Sequence, residues 1–253
     1  CVVPFTRGRE ISRTPDDVLA EVSALVSAGA REITLLGQNV NSYGLDLIRG
    51  DRRTASSVGP FGDLLTRVAN VEGLERLRFT TSNPHDLTRP LADLFSTQPK
   101  LGRYVHLPVQ SGSDTILDSM KRKVTVAEYH ERIAWLRTAV PDMAISTDLI
   151  VGFPGETDYD FAQTMELVRS ARFSFIFSFK YSPRKGTAAA RFTTQVEESI
   201  KDKRLAALQG QQEQITTELN AAEIGKERAV LVTYESKKQP GVYYGRDLYF
   251  RLV

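Results

Sequence analysis

The feature that most constrains the fold is a repeated alternation of amphipathic helical segments with short apolar runs. Five apolar runs follow helical segments in the first three-quarters of the chain: Ile33–Leu36, Leu77–Thr80, Tyr104–Pro108, Ala144–Val151 and Phe173–Tyr181. Strands separated by helices favour a parallel sheet with right-handed crossovers. With a sixth strand expected before Cys1, the pattern predicts an α/β fold, a partial, TIM-like (β/α)6 barrel.

The last quarter of the chain changes character. A long polar helix is predicted over Gln195–Gly225, followed by two β segments, Arg228–Tyr234 and Val242–Val253, on either side of a turn. We therefore divide the chain into a barrel (1–194), a connecting helix (195–225) and the start of a small β-barrel (226–253). This division implies that the sequence is a piece of a longer protein.

The composition indicates a globular protein rather than a membrane-spanning one. The hydrophobic fraction of 41% and charged fraction of 25% are ordinary for a globular chain. No apolar run approaches the roughly 18 residues of a membrane span. With no signal-like segment either, the cytoplasm is the expected location. Residues 180–253 carry 13 Lys/Arg against 9 Asp/Glu, which permits a polyanionic partner and equally permits a solvated surface.

The single cysteine, Cys1, allows several interpretations. A lone cysteine is most often a small buried hydrophobe, and a first-position cysteine can also be lipidated or act as a nucleophile. One cysteine cannot hold a zinc ion or form a disulfide framework. A metal role for Cys1 therefore requires further ligands from residues upstream of this sequence.

The predicted strands end in polar or glycine-containing segments. These are Gly37–Asn41, Thr80–His85, Val109–Asp114 and Gly152–Thr157. Each segment alone could be an ordinary tight turn. Because the carboxyl ends of parallel strands meet at one rim, four such segments together favour a cofactor site there.

These residues resemble the radical S-adenosylmethionine (SAM) methylthiotransferases. Cys1–Gly8 is similar to the end of that family's CxxxCxxC loop and the residues that follow it. The other similar segments are Leu35–Asn41, Arg78–Pro84, His106–Asp114, Met120–Arg122 and Val151–Thr157. The resemblance covers essentially the whole chain, and it is strongest to the MiaB branch, which modifies tRNA. Residues 226–253 resemble the start of that family's RNA-binding TRAM domain.

The resemblance implies two iron–sulfur clusters and SAM as cofactors. Cys1 would be the third ligand of a 4Fe–4S cluster whose open iron binds SAM, since thiolates suit this core. Reduction of the cluster would release a 5′-deoxyadenosyl radical, and a second 4Fe–4S cluster would belong to an N-terminal domain outside this sequence. A chain without these parts is expected to be inactive alone.

The resemblance also assigns seven residues to SAM. They are Gly37 and Gln38 at its methionine end, Ser82 and Gln110 at its methionyl or ribose groups, and Val151, Gly152 and Phe153 at its adenine. Gly152 would permit close backbone approach. For Ser82 and Gln110, ordinary hydrogen bonding at a strand end is the alternative.

The substrate implied is a tRNA adenosine beside the anticodon that already carries an isopentenyl group, to be methylthiolated at carbon 2. Arg7, Lys237, Lys238 and Arg246 are the candidate substrate-binding residues. Arg7 could instead pair with the cofactor or an acidic side chain, and the lysines could belong to a solvated turn. The expected partners are a tRNA anticodon stem-loop and an electron donor such as flavodoxin or ferredoxin, with the protein a monomer and no membrane involved.

Other functions remain open at this point. A related methylthiotransferase could act on another tRNA adenosine or a ribosomal protein, and a non-catalytic RNA-binding or protein-binding β/α module is a further possibility. An ordinary barrel lyase or aldolase would call for a catalytic lysine or paired acid and base residues at the rim, and none of the strand ends offers a lysine. His106 is predicted to be a hydrogen-bonded core residue. Asp148 is either a buried structural acceptor or a carboxylate facing the site.

Overall fold

A computed structural model describes residues 8, 10–47 and 56–253, so the predictions for Cys1 and Arg7 lie outside the described residues. The helices are α1 (Pro15–Ser27), α2 (Gly59–Ala69), α3 (Arg89–Thr97), α4 (Asp114–Ser119), α5 (Val126–Ala139), α6 (Asp158–Ala171) and α7 (Glu198–Ala221). The strands are β1 (Glu32–Leu36), β2 (Arg76–Thr80), β3 (Tyr104–His106), β4 (Ala144–Val151), β5 (Phe175–Lys180), β6 (Val230–Glu235) and β7 (Tyr243–Asp247).

Helix starts follow local capping chemistry. The Thr14 side chain accepts a hydrogen bond from the Asp17 N–H, and Pro15 occupies the first helical position of α1. Thr125 and Thr157 form capping boxes at the starts of α5 and α6. These caps fix where each helix begins after its preceding loop.

The first five strands are parallel and lie in chain order. β1 pairs with β2, and β3, β4 and β5 form a second parallel group. The groups are joined by hydrogen bonds from the Leu77 N–H to the Lys100 carbonyl and from the Gly102 N–H to the Leu77 carbonyl, both 2.8 Å. Consecutive parallel strands with helices on one side form a sector of a barrel, which confirms the predicted fold class.

Strand β3 is shorter than the predicted Tyr104–Pro108. Pro108 has no N–H to donate, and the Val109 N–H donates to the Thr147 side-chain oxygen at 3.0 Å instead of to a strand carbonyl. His106, at the end of β3, is 8% exposed and lies 2.8 Å through Nδ1 from Ser146 Oγ. The prediction of a hydrogen-bonded core histidine is confirmed.

The two faces of the sheet differ in polarity. Side chains that face the helices are apolar. Leu77, Val105 and Leu149, for example, are fully buried. The concave face carries charged residues instead, including Arg78, whose Nε lies 3.0 Å from a Glu32 carboxylate oxygen. The apolar core therefore lies between sheet and helices, and the concave face carries charged residues at β1 and β2.

The C-terminal residues form the predicted hairpin, with β6 and β7 antiparallel. The second arm does not run through Val242–Val253 as expected, because the chain turns after β7. Asp247 Oδ1 accepts hydrogen bonds from the N–H groups of Tyr249 (2.9 Å) and Arg251 (2.8 Å), an Asx-type turn that ends the strand.

This turn closes the barrel at the amino ends of its strands. Arg76 Nη1 donates to the Arg246 carbonyl at 2.7 Å, and Arg78 Nη2 donates to the Asp247 carbonyl at 2.6 Å. The Phe250 ring stacks on Tyr104 with centroids 4.7 Å apart. We call residues 246–250 the barrel floor.

Helix α7 crosses the outside of the barrel over β5 and α6. The Gln212 side chain of α7 donates to the Phe173 carbonyl at 2.8 Å, and Leu208 on the same helix is fully buried. A helix thus occupies most of the predicted 195–225 segment, whereas the division into three domains stays a prediction. Among the described helices, none combines the length and the apolar character needed to cross a bilayer.

Candidate functional site

An open cavity of about 1380 Å³ lies at the carboxyl ends of β1 to β4. Four of the residues predicted to contact the cofactor line it: Gly37, Gln38, Ser82 and Gln110. Asp148 of β4 also lines this cavity. Three of the four strand-end segments predicted to converge, those after β1, β2 and β3, therefore line one cavity, together with Asp148 of β4.

Ser82 places an unsatisfied hydroxyl at the cavity. Its backbone N–H donates to the His106 carbonyl at 3.1 Å, which anchors the loop after β2 against β3. The residue is 2% exposed, and among the described residues its Oγ has no hydrogen-bond partner. A buried hydroxyl without a partner destabilises a fold, so the position is suited to a ligand that supplies a polar group.

Replacement of Ser82 by alanine tests this interpretation. Because the hydroxyl has no described partner, Ser82→Ala is expected to change the free energy of unfolding by less than about 0.5 kcal/mol. The affinity for SAM is expected to fall by roughly three- to tenfold, the value of one hydrogen bond. Urea unfolding and equilibrium binding of SAM measure the two quantities. A large loss of stability with unchanged affinity would show that Ser82 is a structural residue.

Gln110 adopts a backbone conformation that is rare outside glycine. Its φ is 84°, and its backbone is held on both sides by β4, through the Asp148 carbonyl and the Ile150 N–H, each at 2.9 Å. Left-handed non-glycine residues cost free energy and occur where a site needs a particular side-chain direction. Here the conformation brings Gln110 to the cavity.

The loops after β1 and β2 are locked together. Asn41 Nδ2 donates to the Asn83 carbonyl at 2.8 Å, and the Asn83 N–H donates to Asn41 Oδ1 at 2.7 Å. The Val40 N–H also donates to the Thr81 carbonyl at 3.0 Å. The sequence analysis missed this pairing, which holds Gly37 and Gln38 in place, because a contact over 42 residues leaves no local signal.

Val151, Gly152 and Phe153 do not line this cavity. Phe153 is 6% exposed and packs edge-on against Tyr181 at 5.2 Å. Gly152 has a φ of +71°, and a Cβ there would lie 2.3 Å from Lys201 Cγ. The close approach at Gly152 is therefore made by helix α7, and an adenine-binding role for these residues stays a prediction.

A buried ion pair fixes the loop after β4. Glu156 Oε2 accepts from the Gly152 N–H at 2.6 Å and from Arg204 Nη1 at 2.7 Å. The two side chains are only 1% and 7% exposed. Burial raises the pKa of the Glu156 carboxyl above its usual range although Arg204 opposes this shift. Neither residue was a sequence-predicted site residue.

The candidate substrate-binding residues lie apart from the cavity. Lys237 and Lys238 are exposed in the hairpin turn. Arg246 donates to the Phe250 carbonyl at 2.8 Å, and its guanidinium lies 4.0 Å from the Phe250 ring centroid. Arg246 is thus at the barrel floor, at the opposite ends of the strands from the cavity.

No group of three or more His, Cys, Asp or Glu side chains is arranged to hold a metal within residues 8, 10–47 and 56–253. The metal ligand predicted from the sequence, Cys1, lies outside this part of the chain. The cavity itself offers polar groups that fit an organic cofactor: the Ser82 hydroxyl, the Gln110 side chain and the backbone of the β1 loop.

Comparison with known sequences finds similar proteins along the whole chain. Residues 1–168 match the family model of the Radical SAM superfamily. The tRNA-2-methylthio-N(6)-dimethylallyladenosine synthase of Pseudomonas paraeruginosa is 49% identical over all 253 residues, which span 55% of that protein. The enzyme of the same name from Hahella chejuensis is 46% identical over the whole chain and 55% of its own length. The chain thus spans about half the length of the curated relatives it matches.

Solved structures with little sequence identity share the fold. Coproporphyrinogen III oxidase (HemN) from Escherichia coli, a radical SAM enzyme, aligns with a TM-score of 0.56 at 14% identity, over 82% of this chain and 48% of that one. The radical SAM methyltransferase TsrM from Kitasatospora setae aligns with a TM-score of 0.50 at 15% identity, over 68% of this chain and 29% of that one. These likenesses support the partial barrel.

Proposed function

The chain belongs to the radical SAM superfamily, and from this we propose that it is the catalytic barrel of a tRNA methylthiotransferase. The reaction would add a methylthio group to carbon 2 of an N6-isopentenylated adenosine beside the tRNA anticodon. The observation that carries this proposal is the 46–49% identity over the whole chain to proteins with that activity in their names. The cavity with its unsatisfied Ser82 hydroxyl supports it.

The residues at the cavity suit the cofactors that this function needs. Cys1 would ligate a 4Fe–4S cluster together with two further cysteines, and Ser82, Gln110, Gly37 and Gln38 would bind SAM. Bound together and reduced, these two cofactors supply the one-electron chemistry that can break an unreactive C–H bond. The protein's part is to hold SAM in one orientation. The paired loops at Asn41 and Asn83 and the backbone of Gln110 provide rigid supports for this.

Several finer features belong to the same proposal. A second 4Fe–4S cluster would serve as the sulfur source, and a flavodoxin or ferredoxin would supply electrons. The β6–β7 hairpin would begin a TRAM domain whose exposed Lys237 and Lys238 contact RNA phosphates. The complete protein would act as a cytoplasmic monomer on the anticodon stem-loop, whose target base must leave its stack to be reached.

The proposal is tested with the complete protein that contains this chain, reconstituted anaerobically with iron and sulfide. We expect it to convert an isopentenylated anticodon stem-loop to the 2-methylthio product, detected by mass spectrometry of the nucleosides. Cys1→Ala should abolish the product and lower the iron content. An unmodified stem-loop serves as the control substrate. Methylthiolation of a ribosomal protein instead of the RNA would contradict the proposal.

A further inference from the structure

The concave side of β4 and β5 presents aromatic rings beside a carboxylate. Asp148 pairs with Phe177 in the parallel register, and Ile150 pairs with Phe179 two residues further on. Side chains two residues apart point to the same face of a sheet, so these four lie together inside the barrel. Phe177 and Phe179 are 48% and 52% exposed, whereas five of the nine other phenylalanines that the structure describes are buried.

A chain of polar contacts that begins at Tyr104 orients the Asp148 side chain. Tyr104 OH lies 2.7 Å from Ser146 Oγ, Ser146 Oγ lies 2.8 Å from His106 Nδ1, and His106 Nε2 lies 3.4 Å from Asp148 Oδ1. Ser146 is fully buried and His106 is 8% exposed. The Asp148 side chain remains 28% exposed and lines the cavity. This resolves the alternatives for Asp148: it is a carboxylate that faces the site.

The histidine also links the carboxylate to the aromatic rings. The His106 ring packs edge-on against Phe177 with centroids 5.6 Å apart, and Phe177 in turn packs edge-on against Phe175 at 5.4 Å. The orientation of Phe177 is therefore fixed by the same residue that contacts Asp148. The result is a rigid apolar wall with one fixed hydrogen-bond acceptor at its edge.

We infer that this face receives the target base of the RNA, an inference that rests on the proposed function. We call Asp148, Phe177 and Phe179 the base-receiving face. The phenyl rings would stack on the purine, and the Asp148 carboxylate would accept a hydrogen bond from the exocyclic N6–H. The isopentenyl group on the same nitrogen would lie along the apolar wall.

The chemistry of the face selects a base over other parts of the RNA. A carboxylate repels a phosphate, so Asp148 is not a contact for the RNA backbone; Arg122, which lines the same cavity within electrostatic range of Asp148, is the group there that suits a phosphate. Exposed rings give stacking that any base can use, whereas the fixed acceptor favours a base edge that donates an N–H. Adenine donates through N6, and this nitrogen keeps one hydrogen after isopentenylation. His106 acts as the positioning residue for this contact.

The test uses the complete reconstituted protein and fluorescently labelled isopentenylated stem-loop RNA. In Asp148→Asn, His106 holds the remaining carbonyl oxygen and an amide NH₂ faces the N6–H, so RNA affinity should fall about tenfold. Phe179→Ala should reduce it by at least about fivefold through lost stacking. The dissociation constant for SAM, measured by equilibrium dialysis, should stay within about twofold of wild type.

Two matched variants control for loss of charge and of aromatic surface. Asp118→Asn on α4 and Tyr159→Ala on α6 lie on exposed helix surfaces away from the barrel interior, and both should bind RNA like wild type. Phe179→Leu keeps apolar volume, so weaker RNA binding by this variant at a normal melting temperature separates lost stacking from misfolding.

The outcomes separate the inference from the proposed function. A wild-type protein that binds SAM but does not methylthiolate the RNA overturns the proposed function. A wild-type protein that does so, with Asp148→Asn and Phe179→Ala indistinguishable from it in RNA affinity, overturns the inference alone. Weakened SAM binding with normal RNA binding also overturns it, because the face would then belong to the cofactor.

Discussion

Replacing Arg204 with methionine is expected to lower the free energy of unfolding by about 3–5 kcal/mol. Arg204 forms the buried ion pair with Glu156, and its removal would leave a buried carboxylate without a counter-charge, held only by the hydrogen bond from the Gly152 N–H. The loss arises from the unpaired charge rather than from lost volume, because methionine fills most of the same space. Urea unfolding followed by circular dichroism measures the change.

The pH dependence provides an independent check on Arg204→Met. Burial already raises the pKa of Glu156 in the folded protein. A carboxyl with a raised folded pKa contributes most favourably below its unfolded pKa of about 4.3, and this contribution is lost as the pH rises through the folded pKa. Without Arg204 the folded pKa rises further. The deficit relative to wild type should therefore be smaller at pH 5 than at pH 8.

A double variant identifies the source of the effect. Arg204→Met combined with Glu156→Met removes both charges, and it should recover most of the stability lost in the single variant. The second partner of Arg204, Asp158, has a 99% exposed side chain, so its lost ion pair should matter little. Equal stability of the single and double variants would refute the argument from an unpaired buried charge.

Gly112→Ala should destabilise the fold by about 3 kcal/mol through overpacking. A Cβ at position 112 would lie 2.5 Å from Thr164 Cα, 2.7 Å from the Gln163 carbonyl oxygen and 2.8 Å from the Thr164 nitrogen. All three atoms belong to the backbone of α6, so no side-chain rotation relieves the clash. The loop would have to move away from α6 and lose the hydrogen bond from the Gly112 N–H to Thr164 Oγ1.

Gly210 is the matched control for this substitution. It lies within α7, where an added Cβ would meet nothing within 4 Å. Gly210→Ala should stabilise the protein by about 0.5–1 kcal/mol, because alanine has the higher helix propensity. Thermal melting and urea unfolding compare the two variants, and a stable Gly112→Ala protein would show that the loop is free to move.

Much of the architecture could be predicted because its determinants are local. Thr14 and Pro15 mark the start of α1 within a few residues of one another, and the apolar run Ala144–Val151 coincides with β4. Caps, periodicity and turn residues act over one or two helical turns. Such signals therefore appear in the sequence wherever they operate in the fold.

The site was predicted less completely because its supports are distant in the chain. Arg204 lies 48 residues after Glu156, and Asn83 lies 42 residues after Asn41, so no spacing rule connects the partners. Gly112 shows the converse. Its position in a strand-end segment suggested a cofactor loop, whereas the structure shows that helix packing requires this glycine. Ser82 and Gln110, by contrast, are strand-end residues that line the rim cavity, and their contact with a cofactor stays a prediction.

The barrel floor has a consequence for how this protein is made. Arg76 and Arg78 emerge from the ribosome well before the carbonyl groups that receive their hydrogen bonds, which belong to residues about 170 positions later. During synthesis Glu32 is already available to both guanidinium groups, but the nitrogens that donate to the later carbonyls stay hydrated. The concave side of the nascent sheet stays open to water. The barrel can therefore seal only after translation has passed the β6–β7 hairpin, so an interrupted chain would expose its own interior to chaperones and proteases.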